Sequence, residues 1–379
     1  MSLRGMFFLG AAKAGYCAMS IMQSLFGGGS EELVGLDISS SAVKLLELSR
    51  RGDRFHVETF AVEPLPPNAV NDKQIVEPKL VAESIERAVS RAGTRTKQVA
   101  LAVAGASVIT KLVQLSATLS EHDMEEQIKA QADQYIPYPI EEVNLDFQSL
   151  GESEAGTGNA DVLLAACRKE QVESRCAAAE MAGLIPTVVD IEAYALENAC
   201  QFLRHQMPNK GVKKTIAVVD VGANATSLLV MHDMQTVYTR DQAFGGKQLT
   251  EEIMRQYGMS FEEAGKSKKF GNLPENYEAE VLPAFIADMG QQIDRSLQFF
   301  FAASSKHGEI DQLILAGGCA HIPGVDAQIQ ERLGIPTVIA RPFAAMTVSA
   351  KARPSVLAKD EASMLIAAGL AFRAFDSQS

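Results

Sequence analysis

The sequence predicts an α/β protein made of two similar halves, with a small subdomain set into the first. One observation is the stretch 215–231, TIAVVDVGANATSLLVM, which reads as strand, Asp220, a turn of small residues, and strand. Its apolar runs are β-branched, too short for a helix alone, and bounded by Gly222, Ala223 and Asn224. The second is 33–48, LVGLDISSSAVKLLEL, which repeats the pattern with Asp37, a hydroxyl-rich turn and Lys44. A carboxylate at the end of a buried strand needs a partner, a solvated cleft or a metal. Either aspartate alone reads as a solvated turn residue. Written twice, half a chain apart, the unit indicates a duplicated domain with its cleft between the halves. The third observation is the different texture of 106–183, whose β, α, β, β, α order marks it as an insertion.

The elements follow in order. The first 29 residues are apolar, carry only Arg4 and Lys13, and end in glycines. Lys13 interrupts the run, neither side nears the ~20 residues of a membrane span, and no AxA-like site precedes Glu31. A disordered or interfacial tail is the expectation, and Met19 or Met22 is an alternative start. After the first hairpin come a turn at Arg51, Gly52 and Asp53, and a strand 55–62 closed by Pro64, Pro66 and Pro67. Leu80, Val81, Ile85, Ala88 and Val89 share a helical face ended by Gly93, and 99–104 is a buried strand.

In the insertion, 108–115 is a strand and Ser120 with Asp123 resembles a capping box opening a helix to about Tyr135. Pro137 and Pro139 end that helix and leave Tyr135, Ile136 and Tyr138 in an exposed, extended loop. Strands 143–150 and 161–167 and a helix 169–182 stopped by Gly183 complete it. Strand 187–191 then leads into a helix from Glu192 that links the halves, and 208–214 is a polar linker. Past the second hairpin, 236–240 extends the sheet, and Phe244, Gly245, Gly246 and Lys247 open a helix to Tyr257. A second helix puts Glu263 and Lys266 on one face. The long helix 281–304 carries Ile286, Met289, Ile293, Leu297 and Phe300 as a core stripe. Strand 313–316 runs into Gly317 and Gly318, which let backbone approach a ligand without a Cβ in the way. A strand 336–340 and a helix 362–375 end the chain.

Composition sets the class. A chain of 379 residues has room for two or more domains, and a mean hydropathy of +0.01 fits a globular protein. A net charge of −12 argues against nucleic acid as a partner, because phosphate backbones select basic surfaces. Cys17, Cys167, Cys176, Cys200 and Cys319 form no CxxC pair and are odd in number, against a disulfide framework or zinc site and for a reducing cytoplasm.

LDISSSAVK, VVDVGANATS and ILAGGCAHIPG resemble, in order and spacing, the first phosphate loop, second phosphate loop and adenosine motif of the actin, Hsp70 and sugar kinase superfamily. The position of the insertion resembles that of the FtsA family. The blocks AVEPLPPNAV, QADQYIPYPIEEV, DVLLAACRKE, VDIEAYALE, FGGKQLTEEI and RSLQFFFAA are similar to the PilM family of type IV pilus assembly, almost throughout 31–376. The resemblance implies an actin-like ATPase-domain fold with duplicated ribonuclease-H-like halves. It divides the chain into a tail (1–30), a first half (31–105 with 184–207), an FtsA-like 1C subdomain (106–183) and a second half (208–379) with a helical part at about 244–306.

The resemblance further implies ATP or ADP with Mg²⁺ as ligands. Asp37 and Asp220 would hold Mg²⁺, mostly through water. Ser39, Ser40 and Ser41 with Lys44 on one side, and Gly222, Ala223, Asn224, Ala225 and Thr226 on the other, would hold the phosphates. Gly246, Lys247, Glu263 and Lys266 would border ribose and adenine, and Gly317 and Gly318 would pass close to the nucleotide. Glu192, or Asp190, would position the hydrolytic water. Loops poorer in glycine than those of vigorous ATPases point to slow or absent turnover. The implied role is a cytoplasmic scaffold at the inner membrane that binds the cytoplasmic N-terminal segment of PilN, with Tyr135, Ile136, Pro137 and Tyr138 as a wall of the groove. Other inner-membrane pilus components are further partners, and a homodimer is left open. The alternative is an FtsA-type ATPase or polymer in cell division; a sugar kinase would need a sugar-binding carboxylate that the sequence lacks.

Overall fold

The computed structural model describes residues 32–378 apart from 72, 154, 155, 157 and 305–307. The apolar tail lies outside the described residues. The chain divides into two compact units, one reaching to Asn198 and resuming at Ala367, the other comprising Ala199–Ile366.

The first unit opens with a meander: β1 (Val34–Ile38), β2 (Ala42–Arg51) and β3 (Arg54–Pro64), antiparallel throughout. Every residue of β1 is buried, Asp37 included, as the central place of the strand in its sheet requires. A small hairpin, β4 (Val70–Asn71) with β5 (Gln74–Ile75), precedes the helix Pro78–Ala92. That helix has Pro78 in its first turn and ends at Gly93, whose φ of 63° places it in the left-handed region that favours glycine. Then β6 (Gln98–Val103) pairs in parallel with β1.

The insertion follows. β7 (Val108–Ser116), β8 (Val143–Glu152) and β9 (Asn159–Arg168) form a separate antiparallel sheet in the order β7-β9-β8. Ser120 caps the helix Glu121–Ala130 by accepting the Asp123 N–H at 3.2 Å. The helix does not continue to Tyr135 as the sequence suggests: it breaks at Gln131 (φ −109°) and resumes as a turn, Ala132–Tyr135. The break lays Ala132 and Ile136 against Val143 and Ala166 of the sheet.

The helix Lys169–Met181 is a second departure. Its Val172, Ala178 and Ala179 join the core of Val34, Leu36, Val81 and Ile85, because a run of alanines lets it settle closely on the first unit. The inserted body is thus β, α, β, β, and this helix belongs to the layer beneath β6. β10 (Ile185–Ile191), parallel to β6, completes a strand order β10-β6-β1-β2-β3 and runs directly into the helix Glu192–Leu203.

The second unit repeats the plan. β11 (Thr215–Val221), β12 (Thr226–His232) and β13 (Gln235–Gln242) form an antiparallel meander. The helices Gly246–Tyr257 and Phe261–Phe270, the turn Tyr277–Glu280 and the long helix Leu282–Ala303 come next. Ile286, Met289, Ile293, Leu297 and Phe300 of the long helix are buried, as their spacing predicts. β14 (Gln312–Ala316) and, after the helix Val325–Leu333, β15 (Thr337–Ile339) add in parallel, giving β13-β12-β11-β14-β15. This is the strand order of the first unit over again, with Asp37 and Asp220 each one residue from the end of the central strand.

The resemblance assigns 208–379 wholly to the second half. Instead, the residues from Ala367 onward return to the first unit. Small residues allow it. A Cβ on Gly35 of β1 would lie 2.2 Å from the Ala367 carbonyl oxygen, and one on Gly369 would lie 1.7 Å from that of Ala195. Phe372 and Phe375 then pack on Phe55 with ring centroids 5.9 and 5.2 Å away. No helix of the described residues is long and apolar enough to cross a membrane.

Candidate functional site

In the first unit the predicted residues gather where β1 turns into β2. Asp37 and Lys44 face each other in the strand register, and Lys44 Nζ lies 3.0 Å from Asp37 Oδ2 with the carboxylate 3% exposed. Lys44 therefore neutralises Asp37 in the first instance, where the sequence reading gave its charge to a phosphate. Ser39 closes the turn, its hydroxyl donating to the Ala42 carbonyl at 2.8 Å. Ser40 is half-buried and Ser41 exposed on the same turn.

Glu192 and Asp190 sit at the β10-to-helix junction, but both are engaged. Asp190 is fully buried, receives Arg373 Nε at 2.7 Å and accepts the N–H of Ile191 at 2.7 Å. Buried at 1% exposure with both oxygens engaged, it is a structural tie and is not free to position water as expected. Glu192, 10% exposed, accepts Lys73 Nζ at 2.5 Å. Behind it lies Arg175, 1% exposed, which donates to the Lys73 carbonyl at 2.6 Å and to that of Gln171 at 3.4 Å. Burial pulls the Arg175 pKa below its ordinary value, opposed chiefly by the nearby Glu192.

In the second unit the loop after Asp220 is braced from behind. Gly317, at φ 84°, takes the left-handed conformation open to glycine, and a Cβ there would meet Asp220 Oδ1 and the Val221 carbonyl oxygen at 2.4 Å. The carbonyls of Gly222 and Ala223 accept the N–H groups of Gly246 and Lys247 at 2.9 and 2.8 Å. Ala223, Asn224 and Ala225 form the half-buried apex. Thr226 is buried, and its hydroxyl donates to the Phe244 carbonyl at 2.8 Å, so its side chain supports the loop. The space beside Gly318 is open.

Three residues expected on the base side have partners of their own. Glu263 caps its own helix, accepting the N–H of Ser260 at 2.8 Å, and is exposed. Lys266 pairs on the surface with Glu262 at 2.6 Å, and the Lys247 side chain sits 3.9 Å from Glu251, half-exposed. The lysine that turns inward is Lys268, which donates to the Gly246 carbonyl at 2.8 Å and to Thr250 Oγ1 at 2.7 Å. Cys319 lies against the same backbone, 3.7 Å from the Gly222 carbonyl, and burial pushes its thiol up to about 11. Ala264 is buried and Lys268 follows it by one helical turn, a spacing that could have singled it out. Lys73, Arg175 and Arg373 carried no comparable signal, since their partners lie about a hundred residues or more away.

In the insertion, Ile136 is 5% exposed and part of the core, because the broken helix rolls it inward, and it still lines the surface concavity beside Tyr138. Tyr135 is half-buried on the same core, its hydroxyl donating to Gln131 at 3.0 Å. Pro137 and Tyr138 are exposed beside a surface concavity of about 550 Å³ that Asp133, Ile140 and Glu141 also line. The Arg168 guanidinium lies 5.7 Å from the Tyr138 ring centroid.

Two units with one strand order, each closing its central strand with an aspartate before a short turn, define the actin-like ATPase-domain fold. Residues 35–375 match the family of type IV pilus assembly protein PilM, and the chain belongs to that family. Among solved structures it is similar to a PilM-PilN type IV pilus biogenesis complex, with 28% identity and a TM-score of 0.75 over 91% of this chain and 99% of that one. It is also similar to the ethanolamine utilization protein EutJ of Carboxydothermus hydrogenoformans, at 17% identity and a TM-score of 0.54 over 89% and 88% of the two chains. MreB 5 of Spiroplasma citri bound to AMPPNP matches at 14% identity and a TM-score of 0.47, over 90% and 95%.

Proposed function

We propose that this chain is a nucleotide-holding cytoplasmic scaffold of type IV pilus assembly that takes the cytoplasmic N-terminal segment of PilN and helps build the inner-membrane alignment complex that supports twitching motility. The observation that carries the PilN part is the 28% identity, over nearly the full length, to a chain from a PilM-PilN complex. The concavity beside Tyr138 suits an extended peptide, with Pro137 and the Tyr138 ring as apolar contacts and Asp133 and Glu141 ready for basic residues.

The nucleotide part rests on chemistry. Each unit taken by itself offers donors that suit a magnesium nucleotide: a carboxylate one residue from the end of its central strand, and a short turn of small residues after it. Among the described residues no group of three or more histidine, cysteine or acidic side chains could hold a metal by itself. A divalent cation on Asp37 or Asp220 would therefore complete its shell with phosphate oxygens and water, as Mg²⁺ prefers. Bound in this way, the cation would offset phosphate charge. The chain's own work is to present Asp37 already balanced by Lys44, to hold Asp220 against Gly317, and to keep the 222–225 turn fixed through Gly246 and Lys247.

Two measurements test this. Denaturing freshly purified protein and identifying what is released should give adenine nucleotide from the wild type and none from Asp220→Ala. Calorimetry with the PilN segment should show binding that Tyr138→Ala weakens by about 2 kcal/mol, the usual loss for an aromatic anchor in a groove. A folded Tyr138→Ala protein that binds the segment unchanged removes Tyr138 from the groove, and absence of nucleotide from the wild type, with no binding of added Mg·ATP, removes the nucleotide reading.

A further inference from the structure

Lys73 is held from two directions. It stands in the turn of the β4–β5 hairpin at φ 63°, an uncommon conformation for a side-chain-bearing residue. Its carbonyl accepts Arg175 Nη2 at 2.6 Å, and its ammonium reaches Glu192 Oε2 at 2.5 Å. Arg175 comes from a helix 102 positions on, and Glu192 opens another helix 119 positions on, so three separate elements meet at one residue. Arg175 is 1% exposed, and among the described residues its two hydrogen bonds go to carbonyls while its Nε has no partner. A buried guanidinium is a large investment for fixing one loop residue, and what it fixes is the lysine that occupies Glu192.

Glu192 matters because it is the acidic residue at the strand-to-helix junction of the unit that carries Asp37. In ATP hydrolysis a water oxygen forms a bond to the γ-phosphorus, the bond to the bridging oxygen breaks, ADP leaves with the electron pair, and the water proton ends on the released phosphate. A carboxylate that accepts the water's hydrogen bond orients that attack. An ammonium within 2.5 Å of that carboxylate takes up one oxygen and holds the side chain in place.

We propose that Lys73, clamped by Arg175, restrains Glu192 and so keeps bound ATP intact, making the chain a holder of ATP whose turnover is suppressed by the hairpin. Lys73 is a positioning residue that acts through Glu192. The proposal rests on the nucleotide reading above.

The test uses the full chain with Mg·ATP and four variants: Lys73→Met, Lys73→Arg, Glu192→Gln and the double variant Lys73→Met with Glu192→Gln. Retained nucleotide is measured by rapid filtration, and phosphate release is followed separately. Lys73→Met should release phosphate faster by on the order of a hundredfold, the lower end of the range for a positioned carboxylate that accepts the water's hydrogen bond. Lys73→Arg, which keeps a cation on Glu192, should give back most of the restraint, and adding Glu192→Gln to Lys73→Met should remove the gain. In nucleotide-free protein the urea midpoints of the two single changes should be non-additive, as expected for partners in one ion pair. ATP retained by Lys73→Met with phosphate release unchanged, or additive midpoints, overturns the proposal and leaves the nucleotide reading standing. A wild type that retains no ATP overturns the nucleotide reading and this proposal together.

Discussion

Asp190→Asn is expected to destabilise the first unit by about 3–5 kcal/mol, the usual loss when one member of a buried ion pair is removed. The geometry sets that scale. Arg373 Nε and Asp190 Oδ2 are 2.7 Å apart, with side chains 2% and 0% exposed, and the second carboxylate oxygen is taken by the Ile191 N–H. An amide keeps only one of the two acceptor oxygens, turns an N–H donor toward the other donor, and removes the negative charge that faces the buried guanidinium. With an m-value of about 3 kcal/mol/M for a chain of this size, the urea midpoint should fall by roughly 1–1.7 M. Replacing both partners, Asp190→Leu with Arg373→Met, should recover most of the loss, since apolar groups of similar volume are often neutral in place of a buried pair. A fall of less than about 0.3 M for Asp190→Asn, or a double variant as unstable as the single, would refute the reasoning. A catalytic Asp190 would show the reverse pattern, an unchanged midpoint with phosphate release lost.

Gly317→Ala forces a side chain into φ 84° and onto Asp220 Oδ1 at 2.4 Å; a loss of about 3 kcal/mol in urea unfolding, with weaker nucleotide retention, is expected, and a neutral change would mean that the loop yields. Ile136→Ala should cost about 2–4 kcal/mol because Ile136 is 5% exposed, whereas Tyr138→Ala, 42% exposed, should leave the midpoint within about 0.5 kcal/mol. Burial raises the Cys319 pKa from 9.0 to about 11. The folded protein then holds this proton after the unfolded chain has released it, so Cys319 contributes stability that is complete below pH 9 and is lost as pH rises through 11. Cys319→Ala should flatten that part of the stability curve, and an unchanged slope would place the titration elsewhere.

Much of the fold was legible because hydrophobic period and turn chemistry agree locally. The two strand-Asp-turn-strand units, the stop at Gly93 and the buried stripe of the long helix all depend on residues within a few positions of one another. What escaped depends on distant partners. The helix Lys169–Met181 reads as the end of the insertion, and only its packing on Val34 and Ile85 moves it into the first unit. The site divides in the same way. Asp37, Asp220 and Gly317 stand out from strand ends and glycine placement. The choice of Lys268 over Lys266 is a matter of helical phase, legible in principle from Ala264. Lys73, Arg175 and Arg373 look like ordinary surface residues until folding brings their partners in from far along the chain. Ile136 misled because a proline-rich loop suggests exposure, while the break at Gln131 rolls the residue inward.

The return of Ala367 and the residues after it to the first unit has a kinetic side. β1 is laid down early, yet Gly35 on it waits for the Ala367 and Ala371 backbone, Phe55 for Phe372 and Phe375, and Asp190 for Arg373. As the chain grows at the ribosome, the unit begun first is therefore the one finished last, after all of Ala199–Ile366 has been made. Until then its central strand has an uncovered apolar face and Asp190 is an anion without its counterion. Truncation before Ala367 should consequently damage the half of the protein most distant in sequence from the cut.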